Sequence, residues 1–417
     1  MSLVDRVARG LEQRFTLKDY EAGMGTVWGG AGQSFSGESV SVDSALGLIP
    51  VFAAVNVIAS SISTMPCHVY RRLDRGRERA TDTWQYRLLH DDPNPEMAPG
   101  QFVETLLVHL LLWGNCYLEK VKGSFAGAPR VVELWPINPA LVTVRRRVAS
   151  DVGAVGQQKI GEKVFQVTGN NELFGEDKIL HIPGLGYDGL VGLSPIAKAR
   201  QEIGSALARQ RFQGSFYHNA AMLPGVIERP LEAPKWGNEA KDRFRASWRT
   251  RYEGGSGAGG TPVLEDGMKY HEFGMPLRDQ QFIEQGQFST TQIATLFNMP
   301  ASKINGATGD SLTYGTREQD ATDFVAFTLL PWMNRLAQGL WRDNEMFPSR
   351  TFYPDFTPEG LLKGDAAARG AFYKTMADLH VLTPNDIAEM EDRPVRPGGD
   401  DFPAASAPPT STQPGGN

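Results

Sequence analysis

Apolar and polar positions alternate along the chain at periods that switch between helix and strand from about residue 44 to about residue 393. Residues 49–64 are almost all apolar or small and Pro50 suits a first turn, so the pattern predicts a buried helix, which MetPro at 65 and 66 ends. An alternating strand follows over 67–72. ProGly at 99 and 100 opens a second apolar helix, and Gly114 stops it before a strand over 115–122. Strand-like runs at 131–137, 141–147, 163–168 and 178–182, separated by Gly, Pro and Asn, complete an α+β unit with a meander of short strands.

The next segment changes character. Ser194 is a good N-cap and Pro195 a good first helical residue, and no proline follows before about Ala221, which predicts a rod roughly 40 Å long. Ile196, Ala199, Ile203, Ala206 and Leu207 form its apolar stripe, while Gly204, Ser205, Ala208, Gly214 and Ser215 keep other faces thin enough for close helix neighbours. A compact insertion is expected next: a strand at 225–228, a basic helix over 238–252, a Gly-rich loop at 254–260 and a hairpin over 262–273. A second rod over 279–297 carries Phe282, Gly286, Ser289, Ile293 and Phe297 at helical steps, with Gln280, Gln281, Gln285, Gln287 and Thr291 opposite. The connection 299–315 is long for a compact domain. A helix over 316–346, kinked at Pro331, and two ThrPro helix starts at 357 and 383 complete the body, the second with Asp386 placed as in a capping box. Residues 1–42 and the stretch after Pro394 are rich in Gly, Ser and Pro, which predicts a loosely docked arm and a disordered tail.

Composition narrows the chemistry. With 417 residues, 41% of them hydrophobic, the chain can fill two or three ordinary cores. The longest apolar run is too short for a membrane span, and the first residues lack the apolar centre of a signal peptide. Cys67 and Cys116 form no CxxC pair, so neither a disulfide framework nor a zinc site is expected, which suits a reducing cytoplasm. A net charge of −6 argues against tight non-specific binding to a polyanion. No GxxxxGK(S/T) loop follows a strand, no GxGxxG opens a helix after one, and no nucleophile elbow, HExxH or EF-hand motif occurs, so no cofactor is implied. His109 and His181 read as partly buried, satisfied residues, and Asp91 and Asp92 as turn chemistry or, alternatively, as a carboxylate pair for a cation. Lys241, Arg243, Arg245, Arg249 and Arg251 make the strongest basic cluster, either a solvated ion-paired face or a docking surface.

Taken together, SALGLIPVFAAVNVIASSISTMPCHVYRR, LLHDDPNPEM, HLLLWGNCYLEKVKG, VVELWPINP, DKILHIPGLGYDGLVGLSPIAKAR, VLEDGMKYHEFG, DQQFIEQGQFSTTQIATLFNMP and LTPNDIAEMEDRPVRPGGD resemble, in order, the portal proteins of long-tailed bacteriophages. The resemblance covers roughly 44–395 and implies an α+β portal fold. It implies a flexible arm (1–43), an α/β wing (44–194), stem helices (195–221 and 279–298) and a small α/β clip inserted between them (222–278). Beyond these it implies a tunnel loop (299–315), a long wing helix and connection (316–354), a helical crown (355–395) and a disordered tail (396–417). The implied function is structural, not enzymatic: a dodecameric ring at one capsid vertex, a channel for packaging and ejecting double-stranded DNA, and a nucleus for procapsid assembly. Its partners would be the major capsid protein, the terminase large subunit and a head–tail adaptor, in the virion and, during assembly, in the host cytoplasm, with no membrane. Lys303, Asn305 and Thr308 would face DNA, and Arg245 and Arg249 would meet the partners at the clip. Twelve chains at −6 each carry about −72, in keeping with a wall that does not grip DNA. The sequence departs from the family at Leu379-His380, where relatives commonly have a Gly-containing turn, and at Ala388, where a basic residue is frequent. The alternatives are a metal-dependent nucleic-acid hydrolase built on Asp91 and Asp92, or another connector ring protein.

Overall fold

The computed structural model describes residues 32–125, 128–148, 151, 159–170, 172–218, 225–228, 230, 236–252, 264, 267–272, 289–305, 320–357, 366–391 and 393–402. Two units separate between Thr357 and Pro358.

In the first unit the described chain opens as an antiparallel hairpin, β1 (Gly32–Gln33) and β2 (Ser39–Val40), followed by a short helix, Val42–Leu46. Ser41 and Ser44 close a capping box at its start. The arm expected over 1–43 is therefore structured from residue 32, because its serines satisfy backbone donors locally; residues 1–31 lie outside the described residues.

Two helices form the main core. Ile49–Ser63 starts with Pro50 in its first turn, and Pro99–Trp113 starts on its own proline. Their facing sides bury Val51, Val55, Ile58 and Ile62 against Phe102, Leu106, Leu107 and Leu110. Each such side chain stabilises the fold by about 1.5–3 kcal/mol through burial. Gly114 ends the second helix in the left-handed conformation (φ 69°), with its N–H on the Leu110 carbonyl at 2.9 Å.

The strands follow in chain order: β3 (Cys67–Arg72) and β4 (Arg77–Arg79), β5 (Asn115–Phe125) and β6 (Ala128–Ile137), β7 (Val142–Arg146), β8 (Lys163–Val167), β9 (Leu173–Phe174) and β10 (Ile179–Pro183). β5 lies between β10 and β6, and β8 between β7 and β9, all antiparallel. Tyr117, Val142, Val144, Phe165, Ile179 and Val191 make a second core between these sheets. β11 (Gly225–Glu228) pairs antiparallel with β12 (Lys269–Glu272), which brackets the helix Asn238–Tyr252. The hairpin expected over 262–273 falls partly outside the described residues; its second arm pairs instead with β11.

The first rod and the helix expected over 316–346 both differ from expectation. The first is a short helix, Pro195–Lys198, then a break at Ala199 (φ −88°, ψ 17°), then Arg200–His218. The helix expected over 316–346 includes a π-helical stretch, Phe324–Leu329, and a regular helix, Leu330–Trp341. It stops before residue 346 because Asp343 Oδ1 accepts the N–H groups of Glu345 and Met346, both at 2.9 Å, and turns the chain. β13 (Phe352–Phe356) then pairs antiparallel with β3, so residues expected to begin the crown at 355 belong to a sheet. Lys120, with no side-chain exposure, fastens this return: its Nζ lies 2.6 Å from Asp343 Oδ2 and 2.8 Å from Glu345 Oε2, and donates to the Glu176 carbonyl at 2.8 Å. Burial raises the Glu345 pKa, but hydrogen bonds from Lys120 and Lys122 outweigh it and hold the carboxyl below its ordinary value.

The second unit holds helices Ala366–Asp378 and Pro384–Met390. A Schellman motif ends the first: the Val381 N–H bonds the Met376 carbonyl at 2.9 Å and the His380 N–H that of Ala377 at 3.0 Å. His380 thus occupies the left-handed position (φ 55°) that glycine usually fills. Thr383 and Asp386 form the expected capping box, with bonds of 2.7 and 3.2 Å. Residues 396–402, expected in the disordered tail, fold back: Asn385 Nδ2 donates to the Arg396 carbonyl and to Asp400, and its N–H to the Gly399 carbonyl. Residues 403–417 lie outside the described residues.

Candidate functional site

The first rod is rooted in the sheet by a polar node. Ser194 Oγ accepts the Ala197 N–H, as its N-cap position predicts, and donates to the Leu112 carbonyl at 2.7 Å. That carbonyl belongs to the last turn of Pro99–Trp113 and would otherwise lack a partner. Asn115 Nδ2 donates to the carbonyls of Trp113 and Gly192, and its Oδ1 accepts the Gly192 N–H at 2.7 Å. The same Oδ1 lies 3.0 Å from His181 Nε2, and His181 Nδ1 lies 2.5 Å from Lys163 Nζ. Burial, then the charges of Lys163 and Arg342, hold His181 well below its ordinary pKa. The ring is neutral and accepts at Nδ1, so Nε2 carries the proton given to Asn115. Burial also lowers Lys163 to about 8.

Three glycines make this approach possible. A Cβ on Gly114 would sit 2.0 Å from the Leu193 carbonyl, one on Gly192 1.9 Å from the Gly114 carbonyl, and one on Gly184 2.8 Å from that same oxygen. No larger residue fits without displacing backbone. Sequence reading identified Ser194 as a cap and Gly114 as a stop but missed Asn115. The only local signal was a polar residue immediately after a left-handed cap, at the head of an apolar strand.

The second rod is described from Ser289, and residues 279–288 lie outside the described residues. Ser289, Ile293 and Phe297 of the expected stripe are buried. The helix ends in another Schellman motif, with Asn298 (φ 51°) in the left-handed position and the Met299 N–H on the Ala294 carbonyl at 3.0 Å. Asn298 Nδ2 donates to the Phe327 carbonyl at 2.8 Å, and Thr328 Oγ1 donates back to the Asn298 carbonyl. Pro331 has no N–H to offer the Phe327 carbonyl four residues earlier, so Asn298 fills that gap.

Of the expected loop residues, Lys303 lies within a single 3₁₀ turn, Ala301–Ile304. Its Nζ lies 3.4 Å from Asp320, whose carboxylate also accepts Ser302 Oγ at 2.8 Å, and 5.6 Å from the Phe324 ring centre. Asn305 is exposed and left-handed (φ 54°). Thr308 lies outside the described residues. On the inserted helix Arg245 is largely exposed and 3.7 Å from Asp242; the Arg249 side chain lies outside the described residues. Asp91 pairs with its neighbour His90 at 2.8 Å and, with Asp92, lines an open groove with Arg87, Asn94 and Glu133. Among the described residues no group of three His, Cys, Asp or Glu could hold a metal, and no helix is long and apolar enough to cross a membrane. His109, expected to be satisfied, has a buried Nδ1 with no hydrogen-bond partner.

Residues 50–392 match the model of the phage portal protein family. A probable portal protein of Streptomyces phage phiC31 is 32% identical over 317 residues, which span 74% of this chain and 66% of that one. The portal protein of Enterobacteria phage HK97 is 26% identical over 370 residues, 87% of this chain and 82% of the relative. Among solved structures, an HK97 family phage portal protein from Corynebacterium diphtheriae shares the fold (TM-score 0.57, 15% identity, 78% and 96% coverage). So does a chain from the neck of a native gene transfer agent particle computed with C12 symmetry (TM-score 0.52, 20% identity, 91% and 95% coverage).

Proposed function

Because the chain belongs to the phage portal protein family, we propose that its copies close into a ring of twelve at one capsid vertex, around a channel through which double-stranded DNA enters and leaves. The observation that carries this reading is the rooted rod. Arg200–His218 is about 28 Å long at 1.5 Å per residue, and the Asn115–Ser194 node ties its near end to the β5–β10 sheet. The node fixes the root, Pro195–Lys198, and Arg200–His218 projects from it past the break at Ala199 as a strut, suited to packing beside equivalent struts rather than against a single core.

In this reading residues 44–194 are the wing, 195–221 and 279–298 the stem, 222–278 the clip, 299–315 the tunnel loop, 316–357 the long wing helix with its connection and β13, and 358–395 the crown. The work is mechanical. A strongly basic lining would hold the duplex and resist its movement, whereas Lys303 has its charge partly answered by Asp320. Lys303, Asn305 and Thr308 then make brief contacts with phosphate. Arg245 and Arg249 present the clip to the terminase large subunit and later to the head–tail adaptor, while the wing meets the major capsid protein. Nucleotide hydrolysis belongs to the motor.

Electron microscopy of the purified chain with two-dimensional class averaging tests the proposal. Rings with a central hole and about twelve-fold symmetry are expected. Compact monomers or dimers under every assembly condition, including co-expression with the capsid protein, would refute it.

A further inference from the structure

The β1–β2 hairpin is built inside out. Ser34 and Glu38 are buried, while Phe35 at the tip is 95% exposed. The turn is stiff: the Ser34 N–H bonds the Glu38 carbonyl at 2.9 Å, the Glu38 N–H returns to Ser34 Oγ at 3.2 Å, and Gly37 takes the left-handed conformation (φ 80°) that closes it. It is also mounted on the first rod at three points. The Phe35 N–H donates to Gln201 Oε1 at 2.7 Å, Glu38 pairs with Arg211 at 2.8 Å, and Ser34 nests on Gly204, where a Cβ would fall 2.2 Å from its Oγ. These anchors span eleven residues of the rod, so the ring of Phe35 is held out in solvent by a fixed bracket. Exposing a benzyl group is unfavourable in proportion to its area, and a turn needing only solubility would carry a polar residue there. A pre-ordered anchor loses little freedom on docking.

We propose that Phe35 docks against the next copy of this chain, making the hairpin a clamp between neighbouring subunits; the proposal rests on the ring reading. The hairpin brings no cation of its own to a phosphate, since residues 32–46 contain Glu38 and Asp43 and no Lys or Arg, and Glu38 answers the charge of Arg211 beside it. A closed ring needs a head-to-tail interface in which unlike faces meet. The chain also exposes Leu185 and Tyr187, on the loop between β10 and the rod.

The test compares the wild-type chain with Phe35→Ser, Phe35→Leu and Gly204→Ala by native mass spectrometry over a concentration series. Phe35→Ser should raise the concentration needed for half-assembly by about tenfold or more, and Phe35→Leu should stay close to wild type. Gly204→Ala leaves Phe35 intact but drives the hairpin off its mount, so it should match the serine variant while keeping native circular dichroism. A photo-crosslinking residue at position 35 should link copies of the chain into covalent dimers and larger ladders. Unchanged assembly of Phe35→Ser, or crosslinks only within one chain, to DNA or to capsid protein, overturns the clamp alone. A wild-type chain that forms no ring under any assembly condition, co-expression with the capsid protein included, overturns the portal reading and the clamp with it.

Discussion

Replacing His109 with Leu should flatten the acid side of the stability profile. His109 sits within the Pro99–Trp113 helix, its Nδ1 buried without a partner and its ring edge-on to Trp113 at 5.9 Å. Burial alone lowers its pKa from 6.5 to about 4. Between those values the unfolded chain binds a proton that the folded chain does not, so stability falls as pH falls. The loss attributable to this one group is about 2 kcal/mol at pH 5, and approaches about 3 kcal/mol below pH 4. His181, also depressed, adds a slope of the same sign in both proteins and cancels in the comparison. Any change in packing from ring to isobutyl group shifts the Leu curve as a whole and leaves its pH dependence alone. Urea midpoints of wild type and His109→Leu, at equal concentration and several pH values from 7.5 to 4.5, should diverge on acidification, with wild type losing more. Parallel curves would refute the reasoning, because a histidine satisfied by an unrecognised donor or reached by water would titrate normally in both states.

Two further substitutions test the frame around the rods. Lys120→Met leaves Asp343 buried without its cation and should cost about 3–5 kcal/mol, seen as a lower urea midpoint and faster hydrogen exchange at β13. His380→Gly, at a left-handed helix cap, should stabilise the C-terminal unit by roughly 0.5–1 kcal/mol, less whatever the ring gains from Phe402 at 5.1 Å; an unchanged or lower melting temperature of residues 358–417 would count against strain there.

What could be read from the sequence was whatever a few neighbouring residues decide. Pro50, Ser194 and the Thr383–Asp386 pair mark helix starts because a cap needs only its own turn, and Cys67–Arg72 reads as a strand because alternation is local. Pairing across the chain could not be read that way. β13 joins β3 over a separation of more than 250 residues, and its run Phe-Tyr-Pro-Asp-Phe looks like a connection until β3 supplies partners. The hairpin was hidden for the opposite reason: its Gly and Ser content signals freedom, yet those residues are the ones that let it nest on Gly204. Pro331 did signal a disturbance, but its form depended on Asn298, over thirty residues earlier, supplying the missing donor. No glycine stands in the turn after Asp378, and His380 adopts the glycine-like backbone nonetheless. For the loop and the inserted helix, residue type suggested contacts but could not foresee that Asp320 would claim Lys303.

The meeting of Gly114, Gly184 and Gly192 governs how the molecule can move. Three backbones from separate segments touch there without side chains between them, so the joint has no compressible layer and cannot be loosened by degrees. Sheet and rod root turn as a single casting. If the rod tilts, the bend has to be taken up one turn further on, at Ala199, where the helix is already interrupted. The moving part would then be the length beyond it, Arg200–His218, and because Gln201, Gly204 and Arg211 all lie on that length, the bracket carrying Phe35 would swing with it.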